Sequence, residues 1–322
     1  PPMSTTILPT GSYTGSPAPR AAAIGSSIRS TSFAPACTAA SYRDAPPVTF
    51  SADGAVSDAR GAAVSTTEDS VSVTITAGGT YRLTGTCQNG SVVVDCADAV
   101  VLVLDNLVLT NPTGSCIASV GEGDLTLYAL SGTESTLRDG TGYVFPDALT
   151  DEPDAVVFAK SDLTLSGDKD GICHMIAYYK TGAATKDDLT VMGGNYTVSS
   201  IRHGIRGRDS VTVTGGYLAI EAAADGIRTT NDRPGKEGTV TISDGHVTIT
   251  AGDEGIQSIS DITITGGTLT IDSTNNGIKT DAGKLEITAG TVSITAPDQP
   301  VIAASTEHTG GELTVNGTSF AD

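Results

Sequence analysis

The 322-residue chain contains no tryptophan, three methionines, five phenylalanines and four histidines. Aromatic residues make up 4 % of it, too few for a broad ring-lined platform on crystalline glycan, and histidine-centred catalysis has little to draw on. Nowhere is there an uninterrupted apolar run of about 18 residues, which excludes a conventional membrane-spanning helix. Ala21–Ile24 is too short for the apolar core of a secretion leader, and Ala36-Cys37 matches a lipid-attachment site only faintly. Five cysteines (Cys37, Cys87, Cys96, Cys116, Cys173) show no C-x₂-C spacing, which favours thiols buried in a core over zinc or a disulfide framework. Basic residues are also scarce, 18 against 37 acids, for a net charge of −19. That balance disfavours nucleic acid as a partner and suits a secreted or surface-attached, monomeric protein that binds divalent cations.

What the chain does have is a recurring unit of about 22 residues. Its Gly-Ile step falls at Gly204, Gly226, Gly255 and Gly277, so the intervals are 22, 29 and 22, with a seven-residue insertion around Asn231–Gly238. Three apolar sets recur in each unit. One is the single isoleucine Ile205, Ile227, Ile256 or Ile278. A second comprises the pairs Val211/Val213, Val240/Ile242, Ile262/Ile264 and Leu285/Ile287, and a third Leu218/Ile220, Val247/Ile249, Leu269/Ile271 and Val292/Ile294. Alternate β-branched residues in three short runs, separated by Gly-Gly, predict three strands per coil and no helix. The expected fold is all-β, a right-handed single-stranded parallel β-helix with three sheets, its coils stacked at the strand spacing of about 4.8 Å. Fainter coils are expected at Asp154-Ala155-Val156, Gly182-Ala183-Ala184 and Pro300-Val301-Ile302. The Ser/Thr/Ala/Pro-rich residues 1–66 carry no periodicity and read as a tether or leader remnant; residues 67–322 read as the β-helix.

The segments DGIRTTND (225–232), GIQSISDITITGGTLTI (255–271), KDDLTVMGGNYTV (186–198) and VVVDCADAVVLVLDNLVLTN (92–111) together resemble the bacterial carbohydrate-binding domain-containing proteins. These are surface β-helices shaped like pectate lyases. The resemblance covers about 67–322 and implies a non-catalytic module that binds plant polysaccharide, cellulose or polygalacturonate, with calcium. The segment Lys169–Thr181 departs from the family's coil pattern, so a distorted coil is expected there.

Stacked coils turn equivalent positions into ladders. The two residues before the Gly-Ile step gather Asp225, Asp253, Glu254, Asn275, Asn276 and Asp298, an oxygen-rich set suited to Ca²⁺, although Asp and Asn before Gly are also ordinary turn formers. The position after the inward isoleucine gives Arg206, Arg228, Gln257 and Lys279, an outward column able to meet the carboxylates of a polyuronate, or to pair with neighbours such as Asp209, Asp232 and Asp281. A third column, Asn195, Tyr217, His246, Thr268 and Thr291, offers two rings. The acidic stretch Asp147, Asp151, Glu152, Asp154 reads as a solvated loop or a second calcium site. Polygalacturonase strings (NTD, DD, GHG, RIK) do not occur as a set, and no Ser-His-Asp or Cys-His constellation stands out. The expectation is calcium-assisted, non-catalytic polysaccharide binding, with Tyr217 and His246 joining the cationic column as ligand residues. The alternatives are a calcium-dependent polyuronate lyase and a structural stalk or adhesin.

Overall fold

A computed structural model describes residues 39–145 and 149–320. Apart from one short helix, Ala39–Arg43, regular structure is β. The recurring unit forms one coil of a parallel β-helix. The Gly-Ile step opens a three-residue strand, as in Ile205–Gly207, Ile227–Thr229, Ile256–Ser258 and Ile278–Thr280, and these stack in parallel register as the first face. The second and third faces come from one long bent strand per coil: Ser210–Ala222, Thr239–Ala251, Ile262–Ser273 and Lys284–Thr295. Each bends at a glycine with positive φ (Gly216 at 83°, Gly245 at 96°, Gly267 at 77°, Gly290 at 92°), where an L side chain would be strained. The bend shifts register but keeps the ladder, so the three faces make two hydrogen-bonded sheets, of 11 and 17 strands.

All three apolar sets point inward. Ile205, Ile227, Ile256 and Ile278 are fully buried, and so are the valine, isoleucine and leucine pairs of the other faces. The glycine of the Gly-Ile step serves packing and not backbone conformation. A Cβ at Gly204, Gly226, Gly255 or Gly277 would lie 2.2 to 2.4 Å from the Cγ2 of Ile220, Ile249, Ile271 or Ile294. That step repeats because the third face presses isoleucine against the start of the first.

Three expectations change. The fold begins before residue 67: Pro47–Ser51 pairs parallel with Gly79–Cys87, Gly54–Ser57 folds back on it, and Ala62–Thr66 runs antiparallel to Val71–Ile75. Val48 and Phe50 extend the core into that segment, so a tether reading holds at most for residues outside the described part. Lys169–Thr181 is not distorted; Ile172–Ala177 pairs in register with strands on both sides, because Cys173, Met175 and Ala177 supply the inward alternation. The upstream slot expected at Asp154 starts two residues later, since Val157 aligns with Ala183 and Ile205. Cys87, Cys116 and Cys173 are buried free thiols, and burial pushes Cys173 up to about 12. Cys37 lies outside the described residues.

Candidate functional site

The outward column of the first face is realised: Arg206, Arg228, Gln257 and Lys279 are successive register partners. Their side chains are not free. The two terminal guanidinium nitrogens of Arg206, Nη2 and Nη1, donate to the Asp154 carboxylate at 2.7 and 3.2 Å. Arg228 donates to Asp225 at 2.6 Å, Lys279 to Glu254 at 2.8 Å, and Gln257 to Asp281 at 3.5 Å. Asp209 and Asp232 are not the partners of this column; Asp209 instead accepts from Asn231 at 2.8 Å.

Arg206 and Arg228 line a groove of about 550 Å³ over the first face, and five further cations line it with them. Lys180 and Lys186 are held by the loop before the first-face strand Ala155–Ala159: Lys180 by Asp151 and, at 3.8 Å, Asp154, and Lys186 by Glu152 at 2.7 Å. Asp151, Glu152 and Asp154 are therefore ion-pair partners and not a free carboxylate cluster; Asp147 lies outside the described residues. Arg202 and Arg233 have no carboxylate within ion-pair distance among the described residues, and Arg208 has only Asp209 at 4.0 Å. Seven of the chain's 18 basic residues thus face one groove, against three carboxylates in its lining. Arg233 arrives on the seven-residue insertion, which is anchored by the buried Asn231. Beside the groove Tyr143 stacks on Tyr179 at 4.2 Å, and Lys180 lies 5.1 Å above the Tyr179 ring. Sequence periodicity missed Lys180, Lys186, Arg202, Arg208 and Arg233 because they flank the central column at the corners. Their only signal was the clustering of scarce basic residues between positions 180 and 236.

The oxygen-rich ladder lies at a corner and is mostly buried. His203, Asp225, Glu254 and Asn276 are at most 5 % exposed. Ligand atoms of Asp225, Asp253 and Glu254 lie within 4.8 Å of one another. Asn275 donates to Asp253 at 2.8 Å and to Glu254 at 3.4 Å, whereas Asn276 turns away to the Gln299 carbonyl and Asp298 is exposed outside the group. Burial tends to raise the Asp225 carboxyl, but polar contacts with His203 and Arg228 hold it down at about 2. Burial also lowers His203, so at neutral pH it is uncharged and Arg228 is the cation that keeps Asp225 ionised. His203 Nδ1 sits 3.2 Å from Asp225 Oδ2 without hydrogen-bond alignment. Glu254 is raised by burial, partly offset by Lys279.

A second acidic group, Asp162, Asp187 and Asp188, occupies the corner between the first and second faces and has no ion-pair partner among the described residues. Burial, then repulsion from Asp124, Asp188 and Asp187, pushes Asp162 up to about 6. A carboxyl raised in the fold favours the folded state while protonated, so its contribution is lost as pH rises from about 4, the unfolded value, through about 6. The Asp162 carboxyl carbon is expected to titrate near pH 6 by ¹³C NMR; a midpoint near 4 would show that the corner is hydrated.

Comparison with known proteins places this geometry in context. A family model described as carbohydrate-binding domain-containing protein matches residues 69–320. The chain belongs to that family. A carbohydrate-binding domain-containing protein of Acetivibrio thermocellus is 31 % identical over 130 residues, which are 40 % of this chain and 45 % of the relative. The chain therefore spans less than half of that relative's length. Among solved structures, the polysaccharide lyase-like protein from C. thermocellum, a gadolinium derivative, superposes with a TM-score of 0.64 at 28 % identity, covering 83 % of this chain and 99 % of that one. Among the described residues no helix is long and apolar enough to cross a membrane.

Proposed function

We propose that this carbohydrate-binding domain-containing protein holds an acidic polysaccharide of the polygalacturonate type in the first-face groove and does not cleave it. The observation that carries the reading is the groove itself: in a chain of net charge −19, seven cations converge there and three arginines retain unspent donors. A polyuronate presents a carboxylate on every sugar, and guanidinium forks match carboxylates in two-point contacts. Asp151, Glu152 and Asp154 already show how carboxylates sit among these cations. A lyase needs an arginine free to take a proton beside a bound uronate. Arg206 and Arg228 are both committed to carboxylates and so are not that base. Among the described residues Arg202 and Arg233 are free of carboxylates and Arg208 has only Asp209 at 4.0 Å; the absence of unsaturated products is the expected result that excludes these three from the role. Binding of a polymer too large to enter cells also favours a secreted or surface location.

Calcium assistance belongs to the same reading. Asp225, Asp253 and Glu254 are hard oxygen donors, the class calcium takes, whereas Asn275 presents its amide NH₂ to Asp253 and Glu254 and not its oxygen. Arg228 and Lys279 compete for two of those carboxylates, so a modest affinity is expected. Bound there, the ion would neutralise the corner and help fix the adjoining first face.

Affinity electrophoresis in polygalacturonate gels, with calcium and with chelator, tests the reading. Each of Arg202→Ala, Arg208→Ala and Arg233→Ala is expected to weaken retention roughly 3–10-fold, the worth of a partly exposed charge-assisted contact. Retention should also fall with added salt. Unchanged retention in the triple variant would sink the groove assignment, and unsaturated uronide products would overturn the non-catalytic reading. Equal retention in DNA-containing gels would mean indiscriminate polyanion binding.

A further inference from the structure

The third face carries parallel outward columns. In one, Asn195, Tyr217, His246, Thr268 and Thr291 are successive register partners, and the Tyr217 and His246 rings stack with centroids 5.1 Å apart. Two residues further along each strand runs another: Thr136, His174, Thr197, Ala219 and Thr248. Three reactive groups meet across its first coils. His174 Nδ1 lies 2.6 Å from the Thr197 hydroxyl in the next coil, and His174 Nε2 lies 3.0 Å from the Glu134 carboxylate in the coil before. A carboxylate can only accept, so Nε2 carries the ring proton, and in the neutral imidazole Nδ1 is left to accept from the Thr197 hydroxyl. Hydroxyl, base and orienting carboxylate are thus joined in one line, the arrangement that activates a nucleophile. It opens onto a groove of about 420 Å³, which His174 and Thr197 line while Glu134 lies outside the lining. Ala219, the next partner of Thr197, is too short to cover the hydroxyl, and Ser199 and Thr248 add their own hydroxyls to the groove. Separations of 40 and 23 residues, in coils of irregular spacing, keep any sequence motif from joining the three.

We propose that Glu134, His174 and Thr197 form an esterase site for short acyl esters of alcohols, with Thr197 as the nucleophile. Thr197 Oγ1 bonds to the acyl carbon while its proton passes to His174 Nδ1. The bond from that carbon to the alcohol oxygen then breaks, and the alcohol leaves with the proton. Water attacks the acyl-threonine and gives a proton to Nδ1; the carboxylic acid departs and Oγ1 recovers the proton. Glu134 touches no reacting atom. It is a positioning residue that fixes the ring tautomer and steadies the imidazolium. The hydroxyls of Ser199 and Thr248 are the groove's donors for the developing oxyanion, because the strand N–H groups are engaged in the parallel ladder. Two hydroxyls in an open groove make a modest oxyanion site, so turnover is slow. Ester hydrolysis leaves a polymer backbone whole, and the site does not rest on the cationic groove.

Mixing the full chain with p-nitrophenyl acetate is expected to release a burst of nitrophenolate of about one per chain, and peptide mapping after an acid quench should place the acetyl group on Thr197. Thr197→Val keeps the side-chain shape without the hydroxyl; it should lose the burst and slow turnover at least roughly 100-fold. Thr197→Ser keeps a hydroxyl and should still take the acetyl group at that position. Glu134→Gln, whose amide can offer an N–H to Nε2 and hold the other tautomer, should lower kcat at least about tenfold with KM unchanged. Turnover that survives Thr197→Val but fails in His174→Ala would mean a lone imidazole and overturn the nucleophile. Acetyl groups found on lysines alone, or no turnover at all, would overturn the site. No readout involves polygalacturonate, so failure here is distinguishable from failure of the cationic groove.

Discussion

Asp225→Ala should destabilise the fold by about 3 kcal/mol, the lower end of the cost of breaking a buried ion pair. The carboxylate is fully buried and takes Arg228 at 2.6 Å and the Glu254 backbone N–H at 3.4 Å. Removing it strands the Arg228 guanidinium and leaves His203 Nδ1 facing a void. The lower end applies because the Arg228 side chain is 32 % exposed and can turn towards water. Asp225→Asn, which preserves shape, should cost less and should carry a pH signature. The native carboxyl is held below its unfolded value, so its contribution is complete above about pH 4 and is lost as pH falls towards about 2. The gap in urea midpoint between the native protein and Asp225→Asn should therefore narrow from pH 7 to pH 3. A gap independent of pH would mean that the carboxylate's charge contributes nothing. Because coils contact mainly their neighbours, hydrogen exchange at the Gly204 and Gly226 amides should rise before the whole stack opens.

Gly255→Ala is the second large effect, expected at roughly 3 kcal/mol, the upper part of the usual overpacking range. The added Cβ would lie 2.4 Å from Ile271 Cγ2 and 2.6 Å from the Gly277 carbonyl oxygen, one held by the core and the other by the next coil. No backbone strain enters, since Gly255 does not have positive φ. Gly132→Ala provides the contrast. Gly132 has φ of 70° and nothing within 4 Å of an added Cβ, so it should cost only the left-handed strain of about 1–2 kcal/mol. Thermal midpoints of the two variants decide between the causes. Gly132→Ala proving the worse would show that the Gly-Ile step is conserved from coil to coil for some reason other than packing.

Much of the architecture was legible because two periods coincide in the chain. Alternation within a strand placed Val211/Val213 and Leu218/Ile220 inward, and the 22-residue period placed Ile205, Ile227, Ile256 and Ile278 above one another; all are buried. The N-terminal coils were less legible. Val48 and Phe50 are core residues, but they sit in a Ser/Ala-rich segment whose strands pair with residues about 35 positions later and carry no repeat. Lys169–Thr181 looked irregular because His174 and the two adjacent tyrosines obscured a normal alternation of Cys173, Met175 and Ala177.

By itself the sequence determined the coil, the three faces and which residues share a column, because each follows from periodicity along one chain. Only the tertiary structure decided which charges remain available. Arg206 meets Asp154 across 52 residues and Lys279 meets Glu254 across 25, contacts between different coils that no column position encodes. Arg202, Arg208 and Arg233 stay unspent for the same reason. A ladder is set by backbone hydrogen bonds at a fixed spacing, whereas an ion pair is set by where long side chains reach once the coils are stacked.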